Sequence, residues 1–312
     1  MLAIVCPGQG SQTPGFLSPW LELPGVADHL KNLSELSGRD LIEFGTVADE
    51  ETIKDTAVAQ PLIVAAGLVA AGQLFANGAL PAGSVVAGHS VGEITATALT
   101  AALSENDAMM FVRERANAMA EAAAATPTGM AAVLGGAADD VAAAIEAAGL
   151  TAANANGAGQ TVAAGTLEQI AAFVENPPAK ARVIPLKVAG AFHTSHMSPA
   201  VGVLEALAPS LRPADPSVRL LSNYDGAEVA SGSANLESLV AQVSRPVRWD
   251  LCMDRLAELG VTGILELPPA GTLVGLAKRG LRGTATFALK TPEDLEAARE
   301  FVAEHAGGED RD

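Results

Sequence analysis

The stretch Ser84-Val85-Val86-Ala87-Gly88-His89-Ser90-Val91-Gly92-Glu93-Ile94 passes from an apolar run, through two glycines flanking His-Ser-Val, into helical spacing. A short apolar run bounded by turn residues reads as a buried strand over residues 84–88, and residues 91–103 read as the helix that follows. Ser90 then stands on a tight strand-to-helix turn, the context that gives a G-x-S-x-G pattern chemical meaning. The turn forces the serine into a strained backbone conformation and exposes its Oγ. The glycines let neighbouring backbone pass without a Cβ clash, and the free N–H groups of the new helix face the hydroxyl. In a chain with 31 glycines the letters alone are weak; without the strand and helix around it the pattern reads as a small-residue packing turn.

Working outward, residues 2–6 form another buried apolar run, stopped by Pro7-Gly8. Residues 61–74 read as a helix with Pro61 in its first turn, and residues 105–124 as a further helix. Apolar strands alternating with helices imply a mostly parallel sheet covered on both faces. The pattern changes near Thr126-Pro127-Thr128-Gly129. From there strands are expected over 130–134, 151–154, 161–164 and 183–188, with helices over 139–148 and 167–174. That succession, βαββαβ, is the split βαβ or ferredoxin-like pattern, and it makes residues 127–190 a small inserted domain. The first pattern resumes after Ala191, with helices at 197–207, 235–243 and 250–259 and strands at 218–222 and 263–266. The large domain is thus residues 1–126 with 191–312. The Gly-rich, charged end, residues 307–312, is expected to fray.

Composition narrows the partners. A formal charge of −17 repels nucleic acid and anionic membrane surfaces, so an acidic partner would need a local concentration of basic residues. Lys180, Arg182 and Lys187 form one such cluster; Lys278, Arg279 and Arg282 form another. The two cysteines, Cys6 and Cys252, belong to no metal-binding or disulfide pattern, which places the chain in a reducing compartment. The start of the chain is too short and lacks the basic flank of a signal peptide, and the longest apolar stretches carry Gly or Gln and fall short of a membrane span. The expectation is a cytoplasmic monomer with no metal and no membrane or nucleic-acid partner.

A serine hydroxyl needs a base to become a nucleophile. Of the five histidines, His305 lies near the end of the chain and His29 in a polar helical stretch, both read as surface residues. His89 adjoins Ser90, but neighbours at such a turn point apart, and a buried hydrogen-bonded histidine is the better reading. His193 follows the strand at 183–188 and a Gly-Ala-Phe loop, the kind of strand-end loop that carries catalytic groups; His196 competes three residues later. No acid stands out to orient the base, so a backbone carbonyl accepting its Nδ1 proton is the alternative. Pro7-Gly8-Gln9-Gly10-Ser11-Gln12 follows the first strand at the same sheet edge as Ser90, where a backbone N–H could meet a developing oxyanion; by itself it is only a turn.

Together these segments resemble the malonyl-CoA:acyl carrier protein transacylase family of bacterial fatty acid synthesis, which is related to the acyltransferase domains of polyketide synthases. The resemblance spans nearly the whole chain in order and spacing. It rests on residues 7–12, Gln60-Pro61, Gly88-His89-Ser90-Val91-Gly92-Glu93, residues 113–119, Gly129-Met130-Ala131-Ala132-Val133, Asn154-Ala155-Asn156-Gly157 with Gln160, Gly190-Ala191-Phe192-His193, and Pro246-Val247-Arg248-Trp249. It implies an α/β-hydrolase-like domain with a parallel central sheet and an inserted ferredoxin-like domain. It implies Ser90 as nucleophile and His193 rather than His196 as base. The backbone N–H groups of Gln9 and Val91 would form the oxyanion hole, Arg115 would hold the malonyl carboxylate, and Gln60 and Phe192 would contact substrate. The backbone carbonyl of Gln242 would orient His193. No cofactor is implied, coenzyme A entering as the substrate thioester, and acyl carrier protein is the implied partner. The sequence departs from the family in carrying Val91 where many members have Leu, and Leu267-Pro268-Pro269-Ala270-Gly271 in place of a Gly-Pro-Gly loop.

Three other functions compete: an esterase or thioesterase on a similar turn, which gives Arg115 no role; a non-catalytic carrier-protein docking module; and, within the family, a trans-acting loader of a polyketide synthase.

Overall fold

The computed structural model describes residues 1–75 and 78–306. The expectation for residues 307–312 lies outside them. Ten strands are described: β1 Leu2–Cys6, β2 Val85–Gly88, β3 Thr128–Gly135, β4 Thr151–Gly157, β5 Gln160–Thr166, β6 Ala181–Pro185, β7 Arg219–Leu221, β8 Val247–Arg248, β9 Gly263–Glu266 and β10 Ala285–Ala288. They form two five-stranded sheets.

The first sheet, ordered β10-β9-β1-β2-β7, is parallel throughout. Its central strands β1, β2 and β9 are buried along their whole length, which is why each reads in sequence as an unbroken apolar run. All five strands point the same way, so the loops after β1, β2, β7 and β9 gather at one edge, where open α/β sheets bind ligands.

Helix Thr56–Leu74 packs chiefly against helices Glu105–Ala125 and Gly92–Leu99 and is buried nearly all round. It starts five residues before Pro61, so Pro61 sits inside the helix and not in its first turn, correcting the expected position. The physical reason is local. Asp55 caps the helix by accepting from the Ala57 N–H, and the carbonyl that Pro61 leaves without its usual partner, that of Ala57, accepts from Arg39 Nε at 3.3 Å. By length and composition this helix could cross a membrane, contrary to the expectation that no stretch would, yet 83% of its most apolar window is buried inside the protein.

The second sheet, ordered β6-β3-β5-β4-β8, is antiparallel across β6, β3, β5 and β4. With helices Ala138–Ala147 and Leu167–Glu175 these strands follow the β-α-β-β-α-β succession. Helix Leu167–Glu175 opens on a capping box between Thr166 and Gln169. The unit has its own apolar cluster, centred on Val133, Val141, Ile145, Ile170 and Phe173. Three details differ from expectation. Strand β6 ends at Pro185, so residues 186–188 are loop, and the two-residue β8, from the later part of the chain, joins β4 in parallel. The helix after Ser90 spans Gly92–Leu99 and stops short of residue 103.

Candidate active site

Ser90 sits between β2 and helix Gly92–Leu99 with φ +53°, a conformation that costs a non-glycine residue about 1–3 kcal/mol. Two glycines make the turn possible. A Cβ on Gly88 would lie 2.1 Å from the Gly92 carbonyl, and one on Gly92 2.1 Å from the Cys6 carbonyl oxygen. The elbow is therefore pressed directly against the end of β1.

The Ser90 Oγ lies 2.7 Å from His193 Nε2. His193 is 3% exposed, and its Nδ1 faces the Gln242 backbone carbonyl at 2.9 Å. The neighbouring residue holds the same loop, since Val243 O accepts from the His193 N–H at 3.0 Å. With Nδ1–H donated to a carbonyl, Nε2 is left as an acceptor for the serine proton. Burial, aided by the positive charge of Arg115, lowers the His193 pKa to about 3, so the imidazole is neutral at physiological pH.

Arg115, from helix Glu105–Ala125, is 1% exposed. Its Nη1 donates to Gln60 Oε1 at 2.6 Å and its Nη2 to Gln242 Oε1 at 2.7 Å, and Nη2 also lies 3.5 Å from Ser90 Oγ. Among the described residues no carboxylate pairs with it directly, and its Nε is buried without a partner. Burial lowers its pKa to about 10, well above neutrality. A planar guanidinium held beside a nucleophile has the chemistry to grip a carboxylate.

A cleft of about 230 Å³ opens over Ser90, lined among others by Gln9, Gln60, Val91, Met130, Phe192 and His193. Val91 is the N-cap residue of helix Gly92–Leu99, and Gln9 is in the loop after β1. Met130, Asn154 and Val162 from the second sheet, and Leu186 and Val188 from the loop after β6, line the same cleft as the loops that follow β1 and β2. Among the described residues no group of three or more His, Cys, Asp or Glu is arranged to hold a metal ion.

The other histidines are elsewhere. His196 is half-buried in the 3₁₀ turn Ser195–Met197, and His193 alone meets Ser90. His29 pairs with Glu105 at 2.9 Å on the surface. His89 is half-buried, its Nε2 meeting Asn156 Oδ1 at 2.8 Å and its ring edge-on to Trp249. His305 is a correction: only 9% exposed, it bonds Thr262 Oγ1 and packs on Phe301, because its ring fills the space left by the missing side chain of Gly263.

Sequence reasoning missed Asn223 and gave Glu93 no role. Asn223 follows β7, the neighbour of β2, and its Oδ1 accepts the Ser90 N–H at 2.7 Å while its Nδ2 donates to Gly88 O. The signal was its place at the same strand-end edge. The departing loop at residues 267–271 is held by Glu266, whose carboxylate accepts from the N–H groups of Gly271, Leu273 and Val274. That bonding starts helix Thr272–Gly280, whose Thr272, Leu273 and Leu276 reach the cleft.

A sequence model of the acyl transferase domain matches residues 3–302. The chain belongs to the acyl transferase family. It is 52% identical over 297 residues to the malonyl CoA-acyl carrier protein transacylase of Mycobacterium tuberculosis, covering 95% of this chain and 98% of that protein. To the protein of the same name from Bacillus subtilis it is 32% identical, over 97% of this chain and 98% of the relative. Among solved structures, MCAT from Mycobacterium tuberculosis superposes with a TM-score of 0.92 at 50% identity, covering 96% of this chain and 99% of that one. The acyl-carrier-protein S-malonyltransferase of Burkholderia pseudomallei gives 0.87 at 32%, covering 96% and 99%. The mixed α/β fold with a parallel central sheet is that of these acyl transferases.

Proposed function

We propose that this acyl transferase moves a malonyl group from malonyl-CoA to the pantetheine thiol of acyl carrier protein through an ester on Ser90. The observation that carries the reading is one juxtaposition: Ser90 Oγ at 2.7 Å from His193 Nε2 and 3.5 Å from the buried Arg115 Nη2. In a malonyl thioester the carboxylate is one methylene away from the carbonyl that Ser90 would attack. A guanidinium beside the nucleophile therefore suits it, and two parallel hydrogen bonds would grip it. An esterase of simple acyl groups has no use for that buried cation.

The steps follow from the geometry. Neutral His193 takes the Oγ proton at Nε2 as Oγ attacks the thioester carbonyl. Charge on the carbonyl oxygen is met by the N–H groups of Gln9 and Val91. The tetrahedral adduct collapses, the C–S bond breaks, and the coenzyme A sulfur leaves with the proton from the imidazolium. The carrier's thiol then repeats the sequence in reverse, giving its proton to His193, attacking the ester and releasing Ser90. Gln242 orients the base through its backbone carbonyl, and Gln60 holds Arg115 in place. The reaction uses coenzyme A as substrate and needs no resident cofactor. Part of the same reading is that residues 127–190 form an inserted domain against residues 1–126 and 191–312, and that the protein acts as a monomer in the cytoplasm, where its two buried thiols stay free.

Intact mass spectrometry after mixing with malonyl-CoA should reveal one malonyl adduct, mapped to Ser90 and lost in Ser90→Ala. An adduct on Ser11 or Cys6, or none in an active preparation, overturns the mechanism. Release of free malonate at the same rate with and without carrier protein would make the chain a hydrolase instead.

A further inference from the structure

Behind the nucleophile lies a second buried ionisable group that the mechanism does not use. Glu93, in the first turn of helix Gly92–Leu99, is 1% exposed. Among the described residues no Lys or Arg pairs with it directly. Its Oε1 accepts from the Asn223 N–H at 3.1 Å, and its Oε2 accepts from Gln242 Nε2. Each of these partners reaches the reacting groups. Asn223 holds the Ser90 N–H. Gln242 offers its backbone carbonyl to His193, its Nε2 to the Ser90 carbonyl at 3.2 Å, and its Oε1 to Arg115 at 2.7 Å.

The chemistry of the amide makes this order directional. A guanidinium only donates and an ionised carboxylate only accepts. An amide lying between them has one orientation that satisfies both: NH₂ toward Glu93, oxygen toward Arg115. We infer that Glu93 is a positioning residue for carboxylate recognition, fixing the Gln242 amide so that the Arg115 fork is held at its donor-to-acceptor angle beside Ser90. If Glu93 becomes an amide, it can donate as well as accept. The Gln242 amide is then free to flip, and a flipped amide presents NH₂ to a guanidinium, two donors facing each other in a buried site. Arg115 loses one of the two hydrogen bonds that aim it, while the Ser90–His193 contact is untouched.

The inference rests on the reading of Arg115 in the proposed function, and the experiment separates the two. Well above pH 7, where Glu93 is ionised, binding of malonyl-CoA and acetyl-CoA is measured by calorimetry in a Ser90→Ala background, which cannot be acylated at that position, with and without Glu93→Gln. In Ser90→Ala alone malonyl-CoA should bind the more tightly; equal affinities there sink the Arg115 reading itself. Adding Glu93→Gln should lower the malonyl-to-acetyl affinity ratio roughly tenfold, as expected for a group displaced by a fraction of an ångström to an ångström. Glu93→Asp keeps an acceptor-only group and should retain more of the ratio than Glu93→Gln. It also serves as the test if the Gln variant does not fold, since its shortened carboxylate cannot span Asn223 and Gln242 together and should lower the ratio by a smaller factor. A ratio that is unchanged or higher in the folded variant, or equal losses for both thioesters, overturns the positioning role.

Discussion

His193 and Glu93 are both buried, and burial moves them in opposite directions. The His193 pKa falls to about 3, chiefly through desolvation, and that of Glu93 rises to about 7 for the same reason. The signs of their stability effects follow. Between pH 3 and 6.5 the unfolded chain binds the His193 proton more readily than the folded one, so stability is lost as pH falls through that range. Between pH 4.5 and 7 the folded chain keeps the Glu93 proton longer, so stability is lost as pH rises. Each can contribute at most about 1.4 kcal/mol per pH unit. Thermal melts should show the stability of His193→Gln minus wild type increasing as pH is lowered from 6.5 to 5. For Glu93→Gln the difference should increase as pH is raised from 5 to 7. Flat differences would mean that neither group carries its burial-driven shift. At the same scale, Arg115→Ala should lose malonyl transfer by about 2–5 kcal/mol in activation free energy while residual acetyl transfer changes far less. Arg115→Lys should rescue poorly, because an ammonium cannot form two parallel bonds; steady-state kinetics with both thioesters decides. Phe192, 7% exposed, lines the cleft beside the base. One methyl in an apolar pocket is worth about 10–200-fold, so Phe192→Ser should shift the kcat/KM ratio toward methylmalonyl-CoA by a factor in that range, and a constant ratio would remove Phe192 from substrate reading.

Among the elements, the elbow is tightly constrained and easily broken. Gly92 faces the Cys6 carbonyl oxygen, backbone against backbone, so neither side can move aside for a Cβ at 2.1 Å. Gly92→Ala should destabilise the fold by about 3 kcal/mol or more, the upper range for forcing atoms into a packed site. Gly275 is the control. It lies inside helix Thr272–Gly280, and a Cβ there meets nothing nearer than Arg279 Nη1 at 4.0 Å, so Gly275→Ala should stabilise by about 0.5–1 kcal/mol. Urea unfolding of the two variants measures both. If Gly92→Ala is as stable as wild type, the elbow is not packed as described. The elements around the elbow were legible in sequence because parallel strands buried on both faces leave continuous apolar runs. Strand β8 was not, since two residues carry no periodicity, and the end of β6 was misjudged because the apolar loop residues Leu186 and Val188 face the cleft and imitate a strand.

Over the whole molecule, a chain of charge −17 meets a carrier protein expected to be acidic, so docking needs exposed cations where the pantetheine arm enters. Lys187 is exposed between Leu186 and Val188, which line the cleft, and Lys278 and Arg279 are exposed on the helix that brings Leu273 and Leu276 to it. Among the described residues none of the three forms a salt bridge within 4 Å. Charge reversal at Lys187, or at Lys278 with Arg279, should raise KM for carrier protein about fivefold per effective contact, the scale of an exposed ion pair. The KM for malonyl-CoA should stay nearly constant and the salt dependence should weaken. If neither reversal changes the carrier KM, docking lies elsewhere.

What the amino-acid sequence determined alone was the alternation of buried strands and helices, the β-α-β-β-α-β succession and the strand-to-helix turn at Ser90, because each is written in local periodicity and turn residues. The pairing of Ser90 with His193, 103 residues apart, needed a family resemblance as well, since His196 offered the same chemistry three residues on. Only the tertiary structure decided what stands behind them. Asn223 and Glu93 are 130 residues apart, and Arg115 and Gln242 are separated by 127. Asn223 comes from the loop after β7, and the other three come from three different helices that converge behind the elbow. There, a buried donor must find an acceptor, and which amide atom faces which charge is set by the neighbours on both sides.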